Sequence, residues 1–121
     1  MNQNKSILRI KSFAFAASII KIYKHLLGKN EYVLSKQLLR SGTAIGAMIR
    51  EAQNAESSKD FIHKLGIAQK ECDETLYWLE PLLEAQYIEN DRYSSAYSDA
   101  EELLKIIKSS ILTMKSKLSN S

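Results

Sequence analysis

Residues 93–118, YSSAYSDAEELLKIIKSSILTMKSKL, set Tyr93, Tyr97, Ala100, Leu104, Ile107, Ile111, Met114 and Leu118 on one line. The intervals alternate between four and three residues without a break. That is the period of one face of a helix and not the period of two that marks a strand. A helix of this length carrying one apolar stripe has to bury it against other helices. The fold therefore depends on whether the preceding residues supply partners of the same kind.

They do. Working back from Tyr93, a loop around Glu89 to Arg92 separates this helix from a line of Phe61, Leu65, Ala68, Cys72, Leu76, Leu79 and Leu83. Ser57 followed by Asp60 resembles a capping box that opens that helix. Pro81 lies inside the pattern and removes a backbone donor, so a kink is expected near Tyr77. Upstream again, Leu34, Leu38, Ser41, Ile45, Met48, Ile49 and Ala52 form a stripe with Ser35 as the candidate N-cap. The first segment has Phe15, Ile19, Ile22 and Leu26 on one line, with Phe13, Ala16, Ile20, Tyr23 and Leu27 beside it. So wide an arc is expected to meet two neighbours. Gly28 is the candidate left-handed C-cap.

The expected helices span about 5–27, 35–56, 58–87 and 93–118, with only Met1 to Asn4 and Ser119 to Ser121 frayed. No stretch alternates with period two, and short connections favour antiparallel neighbours. The fold class is all-α, an antiparallel up-down-up-down four-helix bundle filling one domain, 1–121.

Composition agrees. A chain of 121 residues that is 45% hydrophobic can build one core, and 4 Gly with 1 Pro leave few places to turn. One Cys excludes an internal disulfide, and 2 His limit metal chemistry. Apolar runs are too short for a membrane span, and the Lys-studded start lacks the pattern of a signal peptide, so a cytoplasmic location is expected.

Between Leu34 and Leu83 the chain reads LSKQLLRSGTAIGAMIREAQNAESSKDFIHKLGIAQKECDETLYWLEPLL. Gln37, Arg40, Ser41, Ile45, Gly46, Arg50, Glu51, Asp60, Phe61, Leu65, Ala68, Glu71, Glu74 and Trp78 in this stretch carry a resemblance to the bacterial four-helix-bundle proteins encoded by intervening sequences within large-subunit ribosomal RNA genes. Met48 stands where that motif commonly has Asn, and Pro81 interrupts what is usually plain helix. The resemblance implies a four-helix fold, a homopentameric barrel and no established enzymatic activity. It also implies kinship with the accessory protein of diversity-generating retroelements, a basic pentamer associated with nucleic acid and reverse transcriptase.

Gly42 and Gly46 lie one turn apart among small residues, and each glycine costs a helix about 1 kcal/mol relative to alanine. They mark a close helix crossing, inside the bundle or between subunits. Ile67, Glu71, Glu74 and Trp78 keep helical spacing but point away from the core line of their own helix. Trp and Ile beside carboxylates suit an oligomer interface, or else Trp78 caps a widened core. Asp60 and His63 have metal-ligand spacing, but no second copy exists and His63 points about 160° from the core direction, so a surface histidine and no metal are expected. Cys72 falls on the core line, where a thiol is a small hydrophobe. No cofactor and no catalytic residue are expected.

Charge is uneven. Residues 1–30 hold Lys5, Arg9, Lys11, Lys21, Lys24 and Lys29 with no acid, in a chain of net charge +3. Residues 61–90 hold Lys64 and Lys70 against six acids. Lys11, Lys21, His25 and Lys29 share one side of the first helix. Lys11, Lys21, Lys24 and Lys29 are the candidate nucleic-acid-binding residues. The alternatives are a solvated face, or an adaptor surface for an acidic protein partner.

Overall fold

The computed structural model describes residues 3–120, with side chains from residue 7 onward; Met1, Asn2 and Ser121, part of the expected frayed ends, lie outside the described residues. Four helices follow one another: α1 (Gln3–Gly28), α2 (Leu34–Gln53), α3 (Ser58–Glu84) and α4 (Asn90–Ser119). Both outer helices run further into the ends than the sequence suggests, α1 from Gln3 and α4 to Ser119. Each helix packs on its sequence neighbour, and α4 closes the ring on α1, while α1 and α3 sit diagonally without contact. The contacts run antiparallel. Gly42 faces Ile19 and Gly46 faces Ser12 across α1 and α2. Ser41 meets Thr75, and Glu51 meets Lys64, across α2 and α3. The expected all-α four-helix fold is the observed one.

The core is a column of Phe15, Ile19, Ile22, Leu26, Leu38, Ile45, Ile49, Leu65, Leu79, Leu103 and Ile107, all buried. In α1 and α2 it follows the expected lines, except that Leu34 and Met48 are half-buried and Ser35 and Gly42 lie inside. In α3, Thr75 and Leu82 are buried where Leu76 and Leu83 were expected. α4 differs most. Its buried line is Ala96, Ala100, Leu103, Ile107 and Ile111, while Tyr93, Tyr97, Leu104 and Met114 are half-buried and Leu118 is exposed. Two alanines let α3 approach closely, so that the Cys72 Sγ donates to the Ala100 carbonyl at 3.1 Å. The tyrosines are displaced to the rim, and Tyr97 Oη donates to Glu80 there at 3.3 Å.

Helix ends follow capping chemistry. Asn30, at φ 62, ends α1, with its N–H on Leu27 and the Glu31 N–H on Leu26, so the left-handed residue is Asn30 and not Gly28. Gln86, at φ 66, repeats the arrangement after α3, with N–H bonds from Gln86 to Leu83 and from Tyr87 to Leu82. This stops α3 three residues short of the expected end. Pro81 therefore lies in the last turn of α3, which continues through it to Glu84, and its ring leaves the Tyr77 carbonyl without the usual i+4 N–H.

At the start of α2 the cap is Glu31. Its carboxylate accepts from the N–H of Ser35 at 2.6 Å, Leu34 at 3.1 Å and Val33 at 3.3 Å, while the Ser35 hydroxyl donates back to the Glu31 carbonyl at 2.8 Å. Ser35 is thus the second residue of the helix and not its cap. Ser57 does cap α3, accepting from the Asp60 N–H at 3.0 Å, and Asp60 reaches back to the Glu56 N–H at 3.3 Å.

Candidate nucleic-acid interface and subunit surfaces

The glycine pair proves to be a crossing inside the bundle. A Cβ on Gly42 would stand 2.8 Å from Ile19 Cγ1 and 2.9 Å from its Cγ2, so α1 and α2 touch there only because no side chain intervenes. Gly46 is looser, with the Ser12 carbonyl oxygen 3.4 Å from the same notional atom. Beside the crossing, small side chains leave a groove of about 630 Å³, its wall formed by Arg9, Phe13, Arg50 and the Glu51–Lys64 pair among others. Lys64 Nζ lies 2.9 Å from Glu51 Oε1.

The lysines of α1 divide into two groups. Lys11 Nζ is 2.9 Å from Glu102 Oε1 on α4. Lys21, Lys24 and Lys29 are exposed and form no ion pair among the described residues. Lys21 nevertheless lines a shallow cleft toward α4 together with Glu89, Asp91 and Asp99. His25 adds no charge at neutral pH, because burial and then the neighbouring Arg92 and Lys29 hold its pKa below the usual histidine value. The side chain of Lys5 lies outside the described residues.

The line Ile67, Glu71, Glu74 and Trp78 runs half-buried along the flank of α3 toward α2. Arg40 on α2 spans both acids, with Nη1 3.8 Å from Glu71 Oε2 and Nη2 3.8 Å from Glu74 Oε1. Burial, then hydrogen bonding with and repulsion from Glu74, raises the Glu71 pKa, and Arg40 offsets this only in part. Trp78 packs against the core edge with its Nε1 buried and unpartnered among the described residues, and Tyr77 meets it edge-on at 5.1 Å. Tyr77 itself is 58% exposed.

Cys72 is buried, and desolvation followed by the Asp73 charge pushes its thiol up to about 12. His63 is exposed. Among the described residues no three His, Cys, Asp or Glu side chains converge as metal ligands, and no helix is long and apolar enough to cross a membrane.

One surface escapes the sequence reading. The wide apolar arc of α1 does meet two neighbours, α2 and α4, yet Ile10 and Phe13 remain 68% exposed and Ile20 40% exposed. With Ala17 they form a line at intervals of three, four and three. Phe13 and Ile20 belong to the arc that the spacing sets beside the core line, and helical spacing alone does not tell which edge of so wide an arc stays in water.

Residues 4–109 match the family described as 23S rRNA-intervening sequence protein. The chain belongs to that family. Its fold superposes on the crystal structure of a protein of unknown function from the S23 ribosomal protein family of Bacteroides thetaiotaomicron VPI-5482, with TM-score 0.89 and 47% identity, over 90% of this chain and 98% of that one. No curated protein matches. For the family, then, fold and membership are firm, and the resemblance carried by the 34–83 stretch extends over most of the chain.

Proposed function

We propose that the protein is a homo-oligomeric scaffold that associates with nucleic acid through phosphate contacts, and not a catalyst. The observation that carries the reading is the trio Lys21, Lys24 and Lys29, exposed and free of ion pairs among the described residues, on a helix half that holds no acid. A lysine is a flexible point charge without the planar fork that reads guanine, so it supports phosphate contact without base recognition. Family kinship supports assembly into a pentamer. Five copies of a +3 chain repeat a patch that one copy presents only weakly.

Fluorescence anisotropy with labelled RNA and DNA oligonucleotides tests this. Binding should depend little on sequence and weaken steeply with salt, the logarithm of affinity falling by about 0.7 to 0.9 per phosphate neutralised for each unit of log salt. Lys21→Glu, Lys24→Glu and Lys29→Glu together should abolish it, whereas Lys11→Gln, which removes a cation already engaged by Glu102, should change it little. Absence of binding at low salt, or equal binding by the triple variant, overturns the reading and favours an adaptor for an acidic protein.

A further inference from the structure

We propose that the outward face of α1 is the socket for the outward corner of α3 on a second copy, so that copies join head to tail through two different surfaces. The inference rests on the self-assembly in the function proposed above and adds which faces meet. On α1 the line is Ile10, Phe13, Ala17 and Ile20, spaced three, four and three, and every one of these side chains is exposed. A continuous apolar line left in water along one helix is unusual for a monomer and marks an interaction surface. Arg9 flanks it, and the described part of the helix has no acid.

The matching surface is on the same chain. Glu74, Tyr77, Pro81 and Glu84 repeat the spacing three, four, three on α3, with Tyr77 standing out at 58% exposure and the Trp78 ring packed edge-on beneath it. Where α1 is apolar and basic, this corner is aromatic and acidic. Aromatic side chains are enriched in interface cores, and opposite charge at the rim sets orientation and suppresses wrong pairings. The two lines have the same helical period, as ridges need in order to fit grooves.

Topology prevents one copy from satisfying itself. α1 and α3 are diagonal and make no contact, so their outward faces look in opposite directions. A contact between unlike faces leaves one of each free at the ends of any open chain, and only closure into a ring satisfies all of them. Arg40 spans Glu71 and Glu74 at 3.8 Å each inside the copy, and of the two acids Glu74 is the more open to the neighbour, with a side chain 37% exposed against 13% for Glu71.

Sedimentation velocity on the full chain at micromolar concentration tests this. Phe13→Glu blocks the α1 face and leaves the α3 corner intact, and Tyr77→Lys does the reverse; both positions are exposed, so circular dichroism should show wild-type helicity. Wild type should be larger than a dimer, and each variant alone should be monomeric. A one-to-one mixture should give a dimer and nothing larger, because one good face of each kind remains. Ile10→Glu is a second block on the α1 face and should behave as Phe13→Glu. Variants that assemble like wild type, or a mixture that stays monomeric, overturn the inference while leaving an oligomeric, nucleic-acid-bound scaffold standing. A monomeric wild type overturns both and leaves the α1 face to another protein.

Discussion

The two flanks of α2 are closed by opposite means. Toward α1, side chains are missing: Gly42 lies against Ile19 and Gly46 against the Ser12 carbonyl, and the turn is held by the Glu31 carboxylate gathering three backbone N–H groups. Toward α3, polar side chains fill the seam, with Thr75 donating to the Ser41 hydroxyl at 2.9 Å, Arg40 between two glutamates, and Lys64 on Glu51. The contrast is sharpest in two carboxylates. Glu31 is buried and Glu71 is largely buried, yet their pKa values move apart. For Glu31 burial pushes the value up, but the donors from Ser35, Leu34 and Val33 outweigh it and the result is lowered. For Glu71 burial again pushes up, and a second carboxyl adds to it. What surrounds a buried acid decides the sign of its shift.

The largest effect should come from breaking the α1 flank at its turn. Glu31→Ala leaves three N–H groups at the start of α2 without their acceptor and should cost about 2 kcal/mol, the upper end for a helix cap. Chemical denaturation at neutral pH measures it. Because the folded pKa lies below the ordinary 4.5, the stabilisation is complete above that value and is lost as pH falls through the lowered one. Glu31→Gln should therefore flatten the acid limb of the stability curve, and an acid limb identical to wild type contradicts the assignment.

Next in size is the crossing itself. Gly42→Ala improves helix propensity by about 1 kcal/mol but drives a methyl group into the buried Ile19 side chain, and overpacking of this kind costs about 1 to 3 kcal/mol. A net loss is expected. Gly46→Ala meets only ordinary contact distances, so propensity prevails and the variant should gain up to about 1 kcal/mol. Thermal melts that order the three proteins Gly46→Ala, wild type, Gly42→Ala support the reading; the reverse order sinks it.

This asymmetry shows what sequence could reveal. Four apolar stripes at helical spacing fix four helices, and glycines one turn apart indicate a crossing, because both are consequences of local period and size. Which glycine is tight depends on where Ile19 falls across the seam, and spacing within α2 holds no such information. The same limit shifted two places of the α4 line by one residue, from Tyr97 to Ala96 and from Leu104 to Leu103: a tyrosine looks apolar along the chain, whereas the Tyr97 hydroxyl reaches Glu80 at the rim. Capping rules anticipate short side chains, so Ser35 attracted the start of α2 while a glutamate four residues earlier reached it instead. Of the candidate phosphate contacts, Lys11 is engaged by Glu102, 91 residues away in sequence, a partner that only folding brings near.

The smallest effect lies on the α3 flank and has the opposite sign to the first. Glu71→Gln keeps the shape of the side chain and removes a charge that burial and Glu74 both disfavour. An acid whose folded pKa is raised binds its proton more tightly in the native state, so stability is lost as pH rises from about the ordinary 4.5 through the raised value. Above that range the ionised wild type bears the full penalty and the glutamine bears none. The variant should therefore be slightly more stable than wild type at pH 7. Its loss of attraction to Arg40 works against the gain, but that guanidinium is largely exposed and 3.8 Å away, where solvent weakens the pairing. The net gain should stay below about 1 kcal/mol. Below the ordinary carboxyl value wild-type Glu71 is itself neutral, and the two melting curves should converge. A variant less stable at pH 7 than wild type would mean that Arg40 dominates Glu74 at this carboxylate, and the two flanks of α2 would then hold their acids by the same kind of attraction.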